Sequence, residues 1–255
     1  MMKKASFLNR ERRLLVAMIQ EETPEKIKCM ILNSLYDGAD AFGIQLCSLK
    51  PEYRNLETLR KIFEMCEGRP IYITSYRGKY NADLTDEERV ELLRMGLEAG
   101  ATLCDVMGDL YDPTPDQLTF DPIAVQRQSE LIKTIHEKGG EVLMSTHTSR
   151  FFDEEEVLRY AKEQVARGAD VVKIVSKANS EDEQMAALQI IHRLKKELDR
   201  PFLFLVGGTH KRLVRQIGPA LGCCMYLCVA HYVPTSTLAQ PQLRAVKAIR
   251  DAMLL

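Results

Sequence analysis

The segment EVLMSTHTSRFFDEEEVLRYAKEQVARGADVVKIV, residues 141–175, contains the pattern that decides the fold. It begins with a short apolar run, continues through a longer stretch rich in charged residues, and ends with a second short apolar run. Short apolar runs are typical of strands that are buried on both faces. A longer charged stretch between two of them is typical of a helix that connects parallel strands. The segment therefore predicts one strand–helix–strand unit of a parallel sheet.

The same unit recurs along the chain. Further apolar runs begin at Leu14, Asp40, Arg69, Thr102, Pro201 and Cys223. Together they make eight strand–helix units in 255 residues, or about 32 residues per unit, and a barrel of eight such units has about 250 residues. We therefore expect an α/β protein with a single (β/α)8 TIM barrel over residues 1–255, in which residues 1–12 form an N-terminal extension. An open, doubly wound sheet is the alternative, but no dinucleotide-binding fingerprint follows the first strand.

Composition and charge exclude several classes of protein. The chain has 35 Lys and Arg against 36 Asp and Glu, so it has no overall positive charge that would attract nucleic acid or acidic lipid. No apolar run approaches the about 20 residues needed to cross a bilayer. The basic N-terminus lacks the apolar region of a secretory signal, and the seven cysteines have no metal-site spacing. We expect a soluble, cytoplasmic protein with free thiols and with no nucleic-acid or membrane partner.

Lys173 lies in the middle of the predicted strand DVVKIVS. Both faces of a barrel strand are buried, so an ammonium group here is costly unless it is paired or loses its proton. Desolvation lowers the pKa of a lysine and favours the neutral amine, which attacks ketones to form a Schiff base. We predict that Lys173 is a catalytic amine. A lysine paired with a barrel carboxylate for structure is the alternative.

His147 ends the predicted strand that precedes the lysine strand. Functional residues of barrels lie at the C-terminal ends of strands, and the unperturbed pKa of histidine suits proton transfer near neutral pH. We predict that His147 is a general acid and base, the alternative being a histidine bonded to a loop carbonyl. No two histidines have metal-ligand spacing, so we expect no metal ion.

Loops after other strands contain groups suited to a carboxylate. Arg77 closes the third predicted strand, Arg215 follows the seventh, and Ser236 and Gln240 follow the eighth. An arginine with hydroxyl and amide donors forms a good carboxylate clamp. We therefore predict a small carboxylate substrate held by these four residues, although each of them taken alone is also typical of a solvated loop.

Taken together, these residues resemble those of type I 3-dehydroquinate dehydratases. The resemblance rests on the STHT segment with His147, the DVVKIV strand with Lys173, the later Arg215, and the spacing of four between Ser236 and Gln240. It extends from the first strand to the last helix. It implies a (β/α)8 barrel, a homodimer, no cofactor and no metal, in an enzyme of the shikimate route to aromatic amino acids.

The resemblance also implies roles for individual residues. Lys173 would condense with the C3 ketone of 3-dehydroquinate. His147 would remove a C2 proton and help to expel the C1 hydroxyl as water, which gives 3-dehydroshikimate. Arg215 would bind the substrate carboxylate beside Ser236 and Gln240, and Arg77 would correspond to the family's arginine on strand 3.

The chain departs from the family pattern near the expected substrate hydroxyls. Where family members have a Glu-x-Arg-x-Asp motif on strand 2, this chain has Gly43, Gln45 and Cys47. A lid-loop glutamate of the family is replaced by Asn81, whereas Asp105 on strand 4 is retained. The chain therefore lacks several of the charged groups that would bind the ring hydroxyls.

Three interpretations follow from this combination. The first is a 3-dehydroquinate dehydratase with a divergent pocket. The second is a related Schiff-base lyase or aldolase that acts on another small keto acid, because a site without hydroxyl-binding groups discriminates less against such substrates. The third is a catalytically silent barrel that binds a ligand. The retention of Lys173, His147 and Arg215 together favours the two enzymes.

Overall fold

The computed structural model describes residues 5–8 and 12–253, and its strands form a barrel. The eight strands are β1 (Leu14–Ile19), β2 (Ala41–Gln45), β3 (Ile71–Thr74), β4 (Leu103–Met107), β5 (Glu141–His147), β6 (Val171–Lys177), β7 (Phe202–Gly207) and β8 (Met225–Cys228). All paired strands are parallel, and β1 pairs with both β2 and β8. Between β7 and β8, Cys224 N donates to Phe202 O at 2.8 Å. The sheet is thus a nearly closed barrel.

Helices alternate with the strands. They are α1 (Pro24–Tyr36), α2 (Leu56–Glu64), α3 (Asp86–Ala99), α4 (Pro122–Glu137), α5 (Glu154–Ala166), α6 (Glu181–Glu197), α7 (Lys211–Leu221) and α8 (Leu243–Met253). The prediction of a (β/α)8 TIM barrel is confirmed. No helix within residues 5–8 and 12–253 is long and apolar enough to cross a membrane.

The sequence fixes where several helices begin. Thr85 before α3 and Asp153 before α5 each form a capping box with a glutamate of the first turn, which satisfies backbone N–H groups that have no partner inside the helix. Pro24 begins α1, where its fixed φ suits a first turn. These three helices therefore start at defined distances beyond their strands. The start of each helix determines the length of the preceding loop at the mouth of the barrel.

Part of the predicted N-terminal extension contacts the barrel. Ser6 Oγ and Phe7 N donate to the Glu141 carboxylate at 2.5 and 2.8 Å, at the start of β5. Phe7 is buried, and its ring lies edge-on to Tyr72 with centroids 6.4 Å apart. Residues 5–8 therefore cover the N-terminal end of the barrel, opposite the end where a catalytic site is expected. The rest of the expected extension, residues 1–4 and 9–11, lies outside the described residues.

Candidate active site

Four neighbouring strands each place a polar side chain inside the barrel. They are Tyr72 of β3, Asp105 of β4, Ser145 of β5 and Lys173 of β6, and all four are buried. Ser145 pairs in register with Lys173. Because side chains alternate between the two faces of a strand, these four residues meet in the interior. The barrel core is therefore polar on this side.

Lys173 has an acceptor for each of its N–H bonds. Its Nζ donates to the Tyr76 hydroxyl at 2.6 Å, to the Tyr72 hydroxyl at 3.1 Å and to Asp105 Oδ2 at 3.4 Å. An ammonium group has three donors, so this arrangement satisfies the charged form completely. The paired lysine that the sequence left as an alternative is thus present, but its partners are two phenols as well as a carboxylate.

Asp105 is the centre of the network. Its Oδ1 accepts from Ser145 Oγ at 2.5 Å, and its Oδ2 accepts from the hydroxyls of Tyr72 and Tyr76 as well as from Lys173. A buried carboxylate with this many donors is fully hydrogen-bonded. The carboxylate therefore both neutralises Lys173 and fixes the two tyrosine side chains around it.

Burial dominates the titration of these groups. The pKa of Lys173 is lowered from 10.5, mainly because burial disfavours the ammonium form, and the charge of Asp105 opposes this effect. The pKa values of Tyr72 and Tyr76 are raised well above 10.0 by burial and then by the charge of Asp105. Both phenols therefore keep their protons near neutral pH and act as donors to Asp105.

His147 lies at the end of β5, beside Tyr76. Its ring is edge-on to the Tyr76 ring, with centroids 5.2 Å apart, and its Nδ1 is 3.1 Å from Gln117 Oε1. Because an amide oxygen only accepts, we place the proton on Nδ1, which leaves the lone pair of Nε2 free. The pKa of His147 is lowered well below 6.5 by burial and then by the charges of Lys173 and Arg215. The imidazole is therefore neutral near pH 7 and is able to act as a base.

Gln117 is a site residue that the sequence did not reveal. It lies between β4 and α4 with a positive φ of 52°, and its carbonyl oxygen accepts from Thr146 Oγ1 at 3.2 Å. A Cβ atom on Gly108 would lie 2.8 Å from the same oxygen, so the close approach of this loop requires glycine at that position. The loop thereby holds the amide that fixes the tautomer of His147.

Arg215 and Gln240 lie next to each other, between α7 and the loop after β8. Arg215 is buried on α7, where its Nε donates to Val206 O at 2.8 Å and its Nη1 donates to Gln240 Oε1 at 3.2 Å. Burial lowers the pKa of Arg215 to about 10. Both residues line a cavity of about 260 Å³ between α7 and the loop after β8. A buried cation beside a cavity is well suited to bind an anion.

Ser236 lies in the same loop but has a local partner. Its Oγ accepts from Val233 N at 3.0 Å, and its own N–H donates to Val233 O at 2.9 Å. Among the hydrogen bonds of the described residues, none joins Ser236 to Arg215. The hydroxyl closes a turn of the loop, and its expected contact with a substrate stays a prediction.

The structure does not bring Arg77 to the lysine. The Arg77 guanidinium forms ion pairs with Asp86 at 2.7 Å and Asp109 at 2.8 Å. β3 ends at Thr74, and beyond it the Tyr76 hydroxyl, not the Arg77 guanidinium, contacts Lys173. The expected contact of Arg77 with a substrate stays a prediction.

The space beside Gly43 on strand 2 is filled by an apolar side chain. A Cβ atom on Gly43 would lie 2.2 Å from Met18 Sδ and 3.2 Å from Tyr72 Cδ1. Cys47 is buried in a short turn after β2, and burial raises the pKa of its thiol. Asn81, at the position of the family's lid-loop glutamate, is buried and donates to Ser75 Oγ at 3.0 Å. None of these residues restores the missing charges.

Comparison with known proteins places this site in a family. A sequence model of the family described as type I 3-dehydroquinase matches residues 18–253. This match covers β2 to β8, the last two residues of β1 and every residue of the network around Lys173.

Solved structures with the same fold have low sequence identity to this chain. The 3-dehydroquinate dehydratase of Geobacillus kaustophilus superposes with a TM-score of 0.81 at 16% identity, covering 96% of this chain and 92% of that one. The type I 3-dehydroquinate dehydratase of Clostridium difficile with covalently modified comenic acid gives 0.80 at 17%, covering 99% and 98%. The Enterococcus faecalis 3-dehydroquinate dehydratase gives 0.74 at 14%, covering 94% of each chain. At such identities the superpositions show a common fold.

Proposed function

Because the chain belongs to the type I 3-dehydroquinase family, we propose that it converts 3-dehydroquinate into 3-dehydroshikimate through an imine on Lys173. The family match makes it an enzyme of the hydro-lyase class. One observation carries the mechanism: a buried lysine whose pKa is lowered lies in the barrel interior, and a neutral histidine lies above it. This pair supplies a nucleophile for a ketone and a base for the adjacent carbon.

The proposed reaction uses both groups in turn. The amine of Lys173 attacks the C3 ketone, and loss of water from the adduct leaves a cationic imine. This cation makes the C2 proton more acidic, and Nε2 of His147 removes that proton. The same histidine then protonates the C1 hydroxyl, which leaves as water as the double bond forms. Hydrolysis of the imine releases the product and restores Lys173.

Arg215 and Gln240 are proposed to bind the carboxylate. Arg215 Nε donates to Val206 O and its Nη1 donates to Gln240 Oε1. Its other N–H donors are therefore left for a ligand. Ser236 and Arg77 remain candidates from the family resemblance. For Arg77 to contact substrate, its guanidinium would have to leave Asp86 and Asp109.

Borohydride trapping tests the proposal. The protein is mixed with 3-dehydroquinate and sodium borohydride, and its intact mass is measured. We expect one covalent adduct, which is absent in Lys173→Ala and retained in Lys177→Ala, a control on the same strand. No adduct in the wild type, or an adduct that persists in Lys173→Ala, would contradict the mechanism.

One observation favours a second substrate. Met18 and Tyr72 occupy the space next to Gly43, so the strand 2 side of the site offers apolar contact where the family pattern has charge. A small keto acid with fewer hydroxyls would suit that side better. Absorbance at the enone band of 3-dehydroshikimate separates the two substrates. An adduct without this product would favour the related lyase or aldolase, and the absence of both would favour a silent ligand-binding barrel.

The homodimer and the cytoplasmic location are further proposals from the family resemblance. Size-exclusion chromatography with light scattering measures the first. We expect a mass of two chains, and a mass near the 29.0 kDa of one chain would contradict it.

A further inference from the structure

The contacts of Tyr76 give the lysine a route for its protons. We propose that the Tyr76 hydroxyl relays protons between Lys173 Nζ and Asp105, and from there to the oxygen of the substrate ketone. The inference rests on the proposed imine chemistry and adds to it a catalytic residue that the sequence did not indicate.

The distances favour a route through the hydroxyl. Nζ is 2.6 Å from the Tyr76 oxygen, whereas its direct distance to Asp105 Oδ2 is 3.4 Å. The Tyr76 hydroxyl donates in turn to the same Oδ2. A phenol both accepts and donates a hydrogen bond, so a proton can enter on one side of the oxygen while another leaves on the other side.

A route for protons is needed because Lys173 is protonated and fully hydrogen-bonded before the reaction. All three N–H bonds of the ammonium are donated to acceptors, and the protonated nitrogen has no lone pair with which to attack a ketone. Transfer of one proton to Asp105 turns an ammonium–carboxylate pair into a neutral amine and a neutral acid. Burial favours such neutral forms over separated charges, and no external base is needed.

The protons and electrons balance across imine formation. One proton moves from Nζ through Tyr76 to Asp105, and the freed lone pair forms a bond to the ketone carbon while the π pair moves to oxygen. The stored proton returns through Tyr76 to that oxygen. A second proton follows from nitrogen to the same oxygen, which leaves as water while the nitrogen lone pair forms the C=N bond. The third N–H stays on the cationic imine.

Position distinguishes Tyr76 from Tyr72. Both hydroxyls bind Nζ and Asp105, but the Tyr72 oxygen is farther from Nζ, at 3.1 Å. Tyr72 is fully buried and packs on Phe7 at the N-terminal end of the barrel. Tyr76 is partly exposed and packs on His147 at the C-terminal end, where substrates of barrel enzymes bind. Of the two tyrosines, Tyr76 is therefore the one on the side from which a ketone would approach.

Matched phenylalanine variants test the relay. The rate of adduct formation with 3-dehydroquinate is followed by borohydride quenching in wild type, Tyr76→Phe and Tyr72→Phe, each checked for folding by circular dichroism. We expect a loss of about 100-fold or more in Tyr76→Phe, the usual scale for a lost acid–base group, and less than about tenfold in Tyr72→Phe. The Tyr76→Phe rate should also rise with pH, because solvent must then deprotonate the amine.

The outcomes separate the relay from the reaction itself. An adduct that forms in Tyr76→Phe at the wild-type rate and with the wild-type pH dependence would overturn the relay and leave the proposed function intact. Equal losses in both variants would also overturn it, since they indicate a purely structural role. Absence of an adduct in the wild type would overturn both proposals. If Tyr76→Phe does not fold, the rate of adduct formation by the wild type is compared in H₂O and D₂O. The relay requires a slower rate in D₂O, and an unchanged rate would refute it.

Discussion

The interior of the barrel has two sides with different chemistry. On β3 to β6, Tyr72, Asp105, Ser145 and Lys173 form one connected polar network. On β1 and β2 the interior next to Gly43 is filled by Met18. In the proposed function the first side supplies the reactive groups, whereas the space next to Gly43 on the second side is apolar. The proposal therefore assigns reactivity and substrate choice to different strands, so that one could change while the other is kept.

The two sides also differ in what stabilises them. In the polar network each group forms hydrogen bonds or ion pairs with another group. Removal of one group therefore leaves a buried polar or charged partner without a hydrogen bond or a counter-charge. On the apolar side the side chains are held in place by close packing. The loss of stability caused by a substitution there depends on how well the neighbouring side chains repack. The following variants test this difference.

The largest effect is expected from Asp105→Leu. This change leaves Lys173 buried without a counter-charge, and breaking one partner of a buried pair costs about 3–5 kcal/mol. Urea denaturation should show this loss in the single variant. The double variant Asp105→Leu/Lys173→Met should recover most of it, since no unpaired charge is left. Equal stability of the wild type and the single variant would show that the network does not hold the polar side together.

A smaller effect is expected from Gly43→Ala on the apolar side. The added Cβ would lie 2.2 Å from Met18 Sδ, and overpacking of this kind costs about 1–3 kcal/mol. A second substitution, Met18→Ala, should relieve the contact, so that the double variant loses less stability than the two single variants together. Additive losses in urea denaturation would mean that Met18 does not occupy the space beside Gly43.

The smallest effect is expected from the pH dependence of stability at His147. Its folded pKa lies below 6.5, so the unfolded chain binds the proton more readily than the folded protein does. The contribution of the neutral His147 imidazole to the free energy of unfolding is fully present above pH 6.5. It is lost as the pH falls towards the folded pKa, by about 1.4 kcal/mol for each pH unit. Urea denaturation at pH 5 and pH 7.5 should therefore show a larger acid loss in the wild type than in His147→Gln. An identical loss in both proteins would contradict the lowered pKa.

Much of the fold was predictable because buried strands have a distinctive composition. The run that begins at Leu14 became β1 with the same first residue, and six of the other seven runs each contain one observed strand, whereas β6 extends one residue beyond the run DVVKIVS, to Lys177. The run at Arg69 was expected to continue to Arg77, but β3 ends at Thr74. Strand ends are set by hydrogen bonding to neighbouring strands, which composition does not report.

Site residues were predictable where their position in a strand indicates the direction of the side chain. Lys173 was found because a charged residue inside an apolar strand must face a buried partner. Tyr76 was missed because it lies two residues beyond the end of β3, where strand alternation no longer indicates the direction of a side chain. Gln117 was missed for a different reason. Its contact with His147 depends on the path of an irregular loop, and no periodic pattern encodes that path.

The occupied donors of Lys173 have a consequence for the protein in the presence of other metabolites. Aldehydes and keto acids condense readily with free amines, and an exposed reactive lysine would accumulate such adducts. In this barrel the ammonium nitrogen, which donates to Tyr76, Tyr72 and Asp105, has no lone pair until one of its protons leaves. The same contacts that stabilise the charged lysine would therefore protect the proposed nucleophile from such adducts between turnovers.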